Sequence, residues 1–241
     1  MKKLIGIFLV LAMLLSLAAC TGEPDISGDI TPPGGNSTPS DPTGDSTPTE
    51  PSEPALSLGG YEGGVYKNDY LGLTCTLGTG WKFYSAKELQ TLPDDIANAL
   101  EGTPIGDKMG SITQITDMMA ENTTDLTTVN VLFTKLDLTS KLLYASMTED
   151  QIADSILAQS DLIKQSYQQM GITVKEMKKV TVTFLGETHT AIWTDATYQG
   201  VAYYILQVYD YHLGDYGATI TMASFLEDKT ASLLSLFSKQ G

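Results

Sequence analysis

Residues 172–212 read "ITVKEMKKVTVTFLGETHTAIWTDATYQGVAYYILQVYDYH", three strand-length runs parted by glycine turns at Gly186 and Gly200. β-branched and aromatic residues dominate all three runs, and two-residue breaks containing glycine are the mark of tight hairpins. The third run is apolar on both of its faces. Val201, Tyr203, Ile205 and Tyr209 alternate with Ala202, Tyr204, Leu206 and Val208. A strand with that pattern belongs in mid-sheet, covered on both sides. A fourth run, "YGATITMAS" at 216–224, follows across Gly214. The four together predict an antiparallel meander.

Working back toward the N-terminus, "SITQITDMMA" (111–120) and "TTVNVLFTKLD" (127–137) predict a hairpin across the polar turn "ENTTD". Between hairpin and meander the pattern changes to a helix from Thr148 to about Met170. Thr148 and Gln151 form a capping box, Met147 and Ile152 a staple, and Gly171 a stop. Ile152, Ile156, Ile163, Tyr167 and Met170 mark its apolar face. Earlier still, "VYKNDY" (65–70) and "LGLTCTL" (71–77) predict two short strands, the second with Leu71, Leu73, Cys75 and Leu77 on one face. Ser85 and Glu88 then cap a helix, with Tyr84 and Leu89 as its staple. Pro93 opens a second short helix that Gly102 ends. At the C-terminus Ser224 and Glu227 cap a closing helix through Leu233, Leu234 and Phe237. The expected fold class is α+β, an antiparallel β-sheet sandwiched by helices, in one domain spanning 59–241.

The opening of that domain, "YKNDYLGLTCTLGTGW", resembles the start of Mog1/PsbP-like domains through Tyr66, Asn68, Tyr70, Gly72, Leu73, Gly80 and Trp81. The proline usual before the Gly-Trp step is replaced by Gly78 and Thr79. The resemblance implies an α/β/α sandwich used for binding or accessory roles, and it brings no catalytic residue with it.

Residues 1–19 resemble a bacterial lipoprotein signal. Lys2 and Lys3 precede the apolar run "LIGIFLVLAMLLSLAA", and "LAAC" ending at Cys20 matches the lipobox. The resemblance implies cleavage before Cys20, lipidation of its sulfur by palmitate-class acyl chains, and an extracytoplasmic protein held on the cell membrane. Each buried methylene of such chains contributes ~0.8 kcal/mol. Residues 20–58 follow as a tether. From Thr21 to Leu58 the chain holds eight of its ten prolines and seven acids, with no lysine and no aromatic residue. Such a composition cannot bury enough apolar area to offset chain entropy. Extended at ~3.1 Å per residue, it would reach at most on the order of 100 Å.

The chain carries a net charge of −15, and all fourteen of its basic residues are lysine. Twelve lysines against twenty-two acids leave −10 on residues 59–241. An acidic chain without arginine repels polyanions, which excludes nucleic acid as a partner.

Candidates for chemistry are few. Cys75 shares a face with leucines and is expected to be a buried thiol. His189 lies near Asp195, and His212 stands two residues from Asp210. A hydrolase or metalloenzyme built on His212, Asp210 and His189 is the alternative to a binding role, and it requires both histidines and a carboxylate in one cleft. Asp117, Glu121 and Asp125 bracket a hairpin turn and offer oxygen ligands for calcium, without an EF-hand pattern. No motif for a nucleophilic serine, a nucleotide or zinc is present. Tyr198, Tyr203, Tyr204, Tyr209, Tyr211 and Tyr216 crowd nineteen residues, which suggests a ligand-binding face near Tyr209, Tyr211 and Tyr216. The expected function is therefore a non-catalytic binding or accessory module. Its partners would be the membrane, through the Cys20 anchor, and a protein or small ligand; no cofactor and no metal are expected.

Overall fold

The computed structural model describes residues 55–91, 113–169 and 171–241. Cys20, the apolar run before it and most of the tether lie outside the described residues, as do Pro93, Gly102 and Met170. Strands predominate, in two wholly antiparallel sheets.

The larger sheet has seven strands, β4 (Trp81–Phe83), β5 (Gln114–Asn122), β6 (Thr127–Lys135), β7 (Ile172–Phe184), β8 (Glu187–Tyr198), β9 (Val201–Leu213) and β10 (Tyr216–Phe225). Their order across the sheet is β4-β5-β6-β10-β9-β8-β7. The expected hairpin and meander are both there, with β9 in the interior. Leu185-Gly186 and Gln199-Gly200 hold positive φ at both residues of their turns, the mirror-image turn that suits twisted hairpins.

On one face lie α2 (Leu138–Ala145), α3 (Glu149–Ala158) and α4 (Ser160–Gln169). The single helix expected over 148–170 is thus two. Gln159 ends α3, its N–H donating to the Ile156 carbonyl, and Ser160-Asp161 supplies a polar, acidic first turn for α4. The capping boxes predicted at Thr148 and Ser85 form. Gln151 bonds the Thr148 N–H and Thr148 the Gln151 N–H, while Ser85 and Glu88 do the same ahead of a helix, α1, at 86–91. The cap expected of Ser224 and Glu227 does not form, because Ser224 lies within β10 and the closing helix starts only at Thr230, without a side-chain cap. Ile152, Ile156, Ile163 and Tyr167 pack on Ile192, Tyr203, Ile205 and Tyr209.

The opposite face overturns the expected α/β/α sandwich. It is covered by a second sheet, not a helical layer: β1 (Gly60–Glu62), β2 (Val65–Asn68), β3 (Leu73–Thr76) and the C-terminal β11 (Phe237–Lys239), in order β1-β2-β3-β11. The closing helix shrinks to α5 (Thr230–Leu233) and one 3-10 turn, Leu234–Leu236. Phe237 then pairs with Cys75 as a strand, because its ring is buried against Phe184 only in an extended chain that runs beside β3. The α/β/α sandwich that the resemblance implied is thus replaced by two antiparallel sheets with, among the described residues, a helical layer on one side only. The two faces of the large sheet are covered by that helical layer on one side and a β layer on the other.

One buried carboxylate joins the two sheets. Register between β5 and β6 shifts at Thr116/Met118, and the extra residue is Asp117, 5% exposed. A bulge of this kind re-aims a side chain. Asp117 meets the small sheet there, accepting from the Gly59 N–H at 2.9 Å, the Tyr66 hydroxyl at 2.5 Å and the Asn68 amide at 2.7 Å. Burial, then the Asp117 charge, pushes the Tyr66 hydroxyl far above the ordinary tyrosine range.

Candidate functional site

An open cleft of about 680 Å³ sits at one end of the molecule, where both sheets and the helical layer meet. Asp69 and Tyr70, in the turn between β2 and β3, form one wall. Lys141 and Ala145 of α2 form another, and Tyr211 to Gly214, the end of β9 and its turn, form the floor.

Each wall has a local cause. Asp137 caps α2 by accepting from the Ser140 N–H at 2.7 Å, which starts the helix beside the sheet end. Lys141 donates to Asp215 at 3.0 Å across the turn, fixing α2 to the β9–β10 hairpin. Tyr144 stacks on Tyr211 with ring centroids 4.8 Å apart, and Tyr211 stacks in turn on Tyr209 at 6.0 Å. Tyr211 lies so close over β10 that a Cβ at Gly217 would come within 1.8 Å of its ring. Glycine at 217 is therefore a requirement of the floor. The Tyr70 hydroxyl donates to the Leu213 carbonyl, and Gln240 donates to Asp69 at 2.6 Å.

His212 lines the cleft, and its Nε2 sits 3.0 Å from the Met147 carbonyl. A carbonyl only accepts, so Nε2 carries the proton. Nδ1 faces Asp210 at 3.7 Å, beyond hydrogen-bond range. His189 does not line the cleft. It is 2.8 Å from Glu149, whose other oxygen accepts from the Thr190 N–H at 2.8 Å. That carboxylate sits just past Ala191↔Val208, where the pairing of β8 with β9 stops. Each histidine thus meets a different residue at the start of α3, and the two do not share the cleft. Lys175, not a histidine, is the partner of Asp195.

The other sequence candidates are dispersed. Tyr209 and Tyr211 are 3% and 2% exposed, so most of their area is in packing, and only the edge of Tyr211 reaches the cleft. Tyr216 is half-buried, edge-on to Phe133. Asp117 is the joint between the sheets, Glu121 accepts from the Tyr84 hydroxyl, and Asp125 pairs with Lys229 at 3.0 Å. Among the described residues no three of His, Cys, Asp and Glu gather as a metal site. Cys75 is fully buried, and burial pushes its thiol up to about 12.

Sequence reasoning did not find Asp69, Lys141 and Ala145. Asp69 comes from the β2–β3 turn and Lys141 and Ala145 from α2, segments far apart in sequence, and residues 138–145 carry leucines at positions that turn outward. Leu138 and Leu142 are 72% and 65% exposed. Among the described residues no helix is long and apolar enough to cross a membrane.

The fold and the cleft together define a domain of two stacked sheets with a helical layer on one side and, at one end, an opening lined by Asp69, Lys141, His212 and two tyrosines. No protein-family profile matches the chain, and no curated protein matches it in sequence.

Proposed function

We propose that the protein is an exported lipoprotein whose folded part is a non-catalytic binding module, with the end cleft as its ligand site. Cys20, lipidated as the first mature residue, would hold the chain on the cell membrane, and the tether to residue 58 would carry the domain away from the surface. The cleft itself carries the reading. It combines aromatic floor, lysine, imidazole and carboxylate groups around an opening large enough for a small ligand or a peptide segment. The lipobox at "LAAC" supports the location.

The test uses the intact protein in phosphatidylcholine nanodiscs as bait for a cell-envelope extract. A retained component should be lost with Ala145→Arg, an exposed position whose new side chain fills the cleft, and weakened by His212→Ala. Retention that ignores both variants would refute the cleft as the site. In cells, Cys20→Ala should abolish incorporation of a labelled palmitate analogue and move the protein out of the membrane fraction. Unchanged membrane association would refute the anchor.

A further inference from the structure

We propose that the cleft is the seat of a segment of this same chain, the proline ridge of residues 48–54, which an outside ligand must displace. This rests on the reading of the cleft as the binding site and adds its regulation.

The sequence ahead of the domain is periodic. From 39 to 54 every third position (39, 42, 45, 48, 51 and 54) is proline except Asp45, and no proline of that stretch falls out of register. A polyproline II helix has three residues per turn, and each proline fixes φ near the value that helix needs. In "PTEPSEP" (48–54) the period sets Pro48, Pro51 and Pro54 on one ridge and Glu50 and Glu53 on another. A spacer that supplied reach alone would not need that register.

Residues 48–54 lie outside the described ones, but the point where the tether joins the domain does not. The Gly59 N–H and the Asn68 amide donate to one and the same oxygen of Asp117, at 2.9 and 2.7 Å. Asn68 in turn accepts from the Leu71 N–H at 2.8 Å, across the turn whose Asp69 and Tyr70 wall the cleft. Gly60 pairs with Lys67, two residues short of Asp69. Leu56, half-buried, packs on the same core cluster as Tyr70. The tether therefore enters beside the cleft, and Pro54 stands two residues before Leu56. At ~3.1 Å per residue the ridge is about 20 Å long, enough to reach across the opening.

The lining suits a neutral ridge. Asp69 stands against Lys141, while half-buried Tyr70 and Leu213 and exposed Ala145 offer apolar surface beside them. Proline-rich segments dock on aromatic and apolar grooves at low entropic cost, because they are extended before they bind. The two glutamates, on their separate ridge, stay in water. Attachment beside the site gives an effective concentration on the order of mM, so weak contacts are enough to fill it in part.

Hydrogen–deuterium exchange of the intact protein in phosphatidylcholine nanodiscs tests this. Pro48→Ser, Pro51→Ser and Pro54→Ser made together should speed exchange at 138–145 and 211–215 by about twofold or more, as when a half-filled site is vacated. Glu50→Gln with Glu53→Gln should leave those segments unchanged. Ala145→Arg fills the cleft, so in its presence the proline and serine chains should exchange alike. Unchanged exchange in the serine chain overturns the proposal, as does an equal rise in the glutamine chain or a rise that persists with Ala145→Arg. The two readings fail separately. If exchange ignores the prolines while an envelope component is still lost with Ala145→Arg, the ridge falls and the cleft stands. If exchange responds as expected and no envelope component is retained, the ridge stands as the cleft's own occupant and the outside ligand falls. If neither is seen, both fall.

Discussion

Toward the small sheet, the seven-stranded sheet presents Met118, Val129, Val131, Phe133, Leu206, Ile220 and Met222, all buried. Toward the helices the alternating positions of β6, β9 and β10 present Thr128, Asn130, Gln207, Thr219 and Thr221, equally buried. The first face is apolar, and the buried charge it holds, Asp117, has three donors. The second is polar at its centre, linked by bonds from Tyr209 to Gln207 and from Gln207 to Thr221. Buried polar groups cost stability unless paired, so the two faces have different balances. The β-layered face is apolar through its centre, whereas the helical face sets its apolar packing around a polar centre. The helical face gives up some apolar packing, and the cleft opens at its end.

The comparison can be broken at four places. Gly217→Ala should have the largest effect, because the methyl must displace the Tyr211 ring that Tyr144 backs. A loss of about 3 kcal/mol or more in urea unfolding is expected, and wild-type stability would show that the floor is loose. Asp117→Ala should cost about 2–3 kcal/mol by leaving the Tyr66 hydroxyl and the Asn68 amide unpaired in a dry setting. Hydrogen exchange should then rise first in β1 and β2; a uniform rise would show that Asp117 is not the joint. Thr219→Val should act in the opposite direction. Its hydroxyl has no hydrogen-bond partner among the described residues, so the isosteric change should raise stability by about 1 kcal/mol. Destabilisation there would mean that the polar centre of the helical face is a satisfied structural network.

The smallest effect belongs at the exposed margin. Bonds from the Ser85 N–H and hydroxyl, then Lys82, lower the Glu88 carboxyl to about 2. A depressed pKa contributes stability that is present above the ordinary glutamate range and lost as pH falls toward 2. The Glu88 side chain is 44% exposed, so solvent screening limits the amount. Glu88→Gln should cost no more than about 0.5 kcal/mol at neutral pH and should flatten the acid limb of stability between pH 4.5 and about 2. An unaltered acid limb would place the contribution elsewhere.

Local pattern made the meander, the hairpin and the capping boxes at Thr148 and Ser85 legible, since alternation and turn residues act over a few positions. The Ser224/Glu227 spacing misled, because Ser224 is taken up in β10. What covers the second sheet face was not legible. Residues 233–237 have helical spacing in "LLSLF", yet Phe237 is extended because β3 offers it a partner across more than 160 positions of chain. Asp117 was misjudged for a related reason. Simple alternation in "ITDMMA" sets Asp117 and Met118 on opposite sides, and the bulge brings the carboxylate round to the small sheet. The cleft draws on segments near residues 69, 141 and 212, so no local spacing announces it. The tyrosine cluster was visible, but composition does not separate rings that line an opening from rings that support it. Tyr209 and Tyr211 are mainly the latter.

The central claim is that the cleft end of the helical side binds, while the small-sheet side supports. Hydrogen–deuterium exchange of the intact protein, with and without the envelope extract, tests it most directly. The account predicts slowed exchange confined to residues 138–145 and 211–215, with β2, β3 and β11 unchanged. Protection centred on the small sheet, or none on either side, would contradict it.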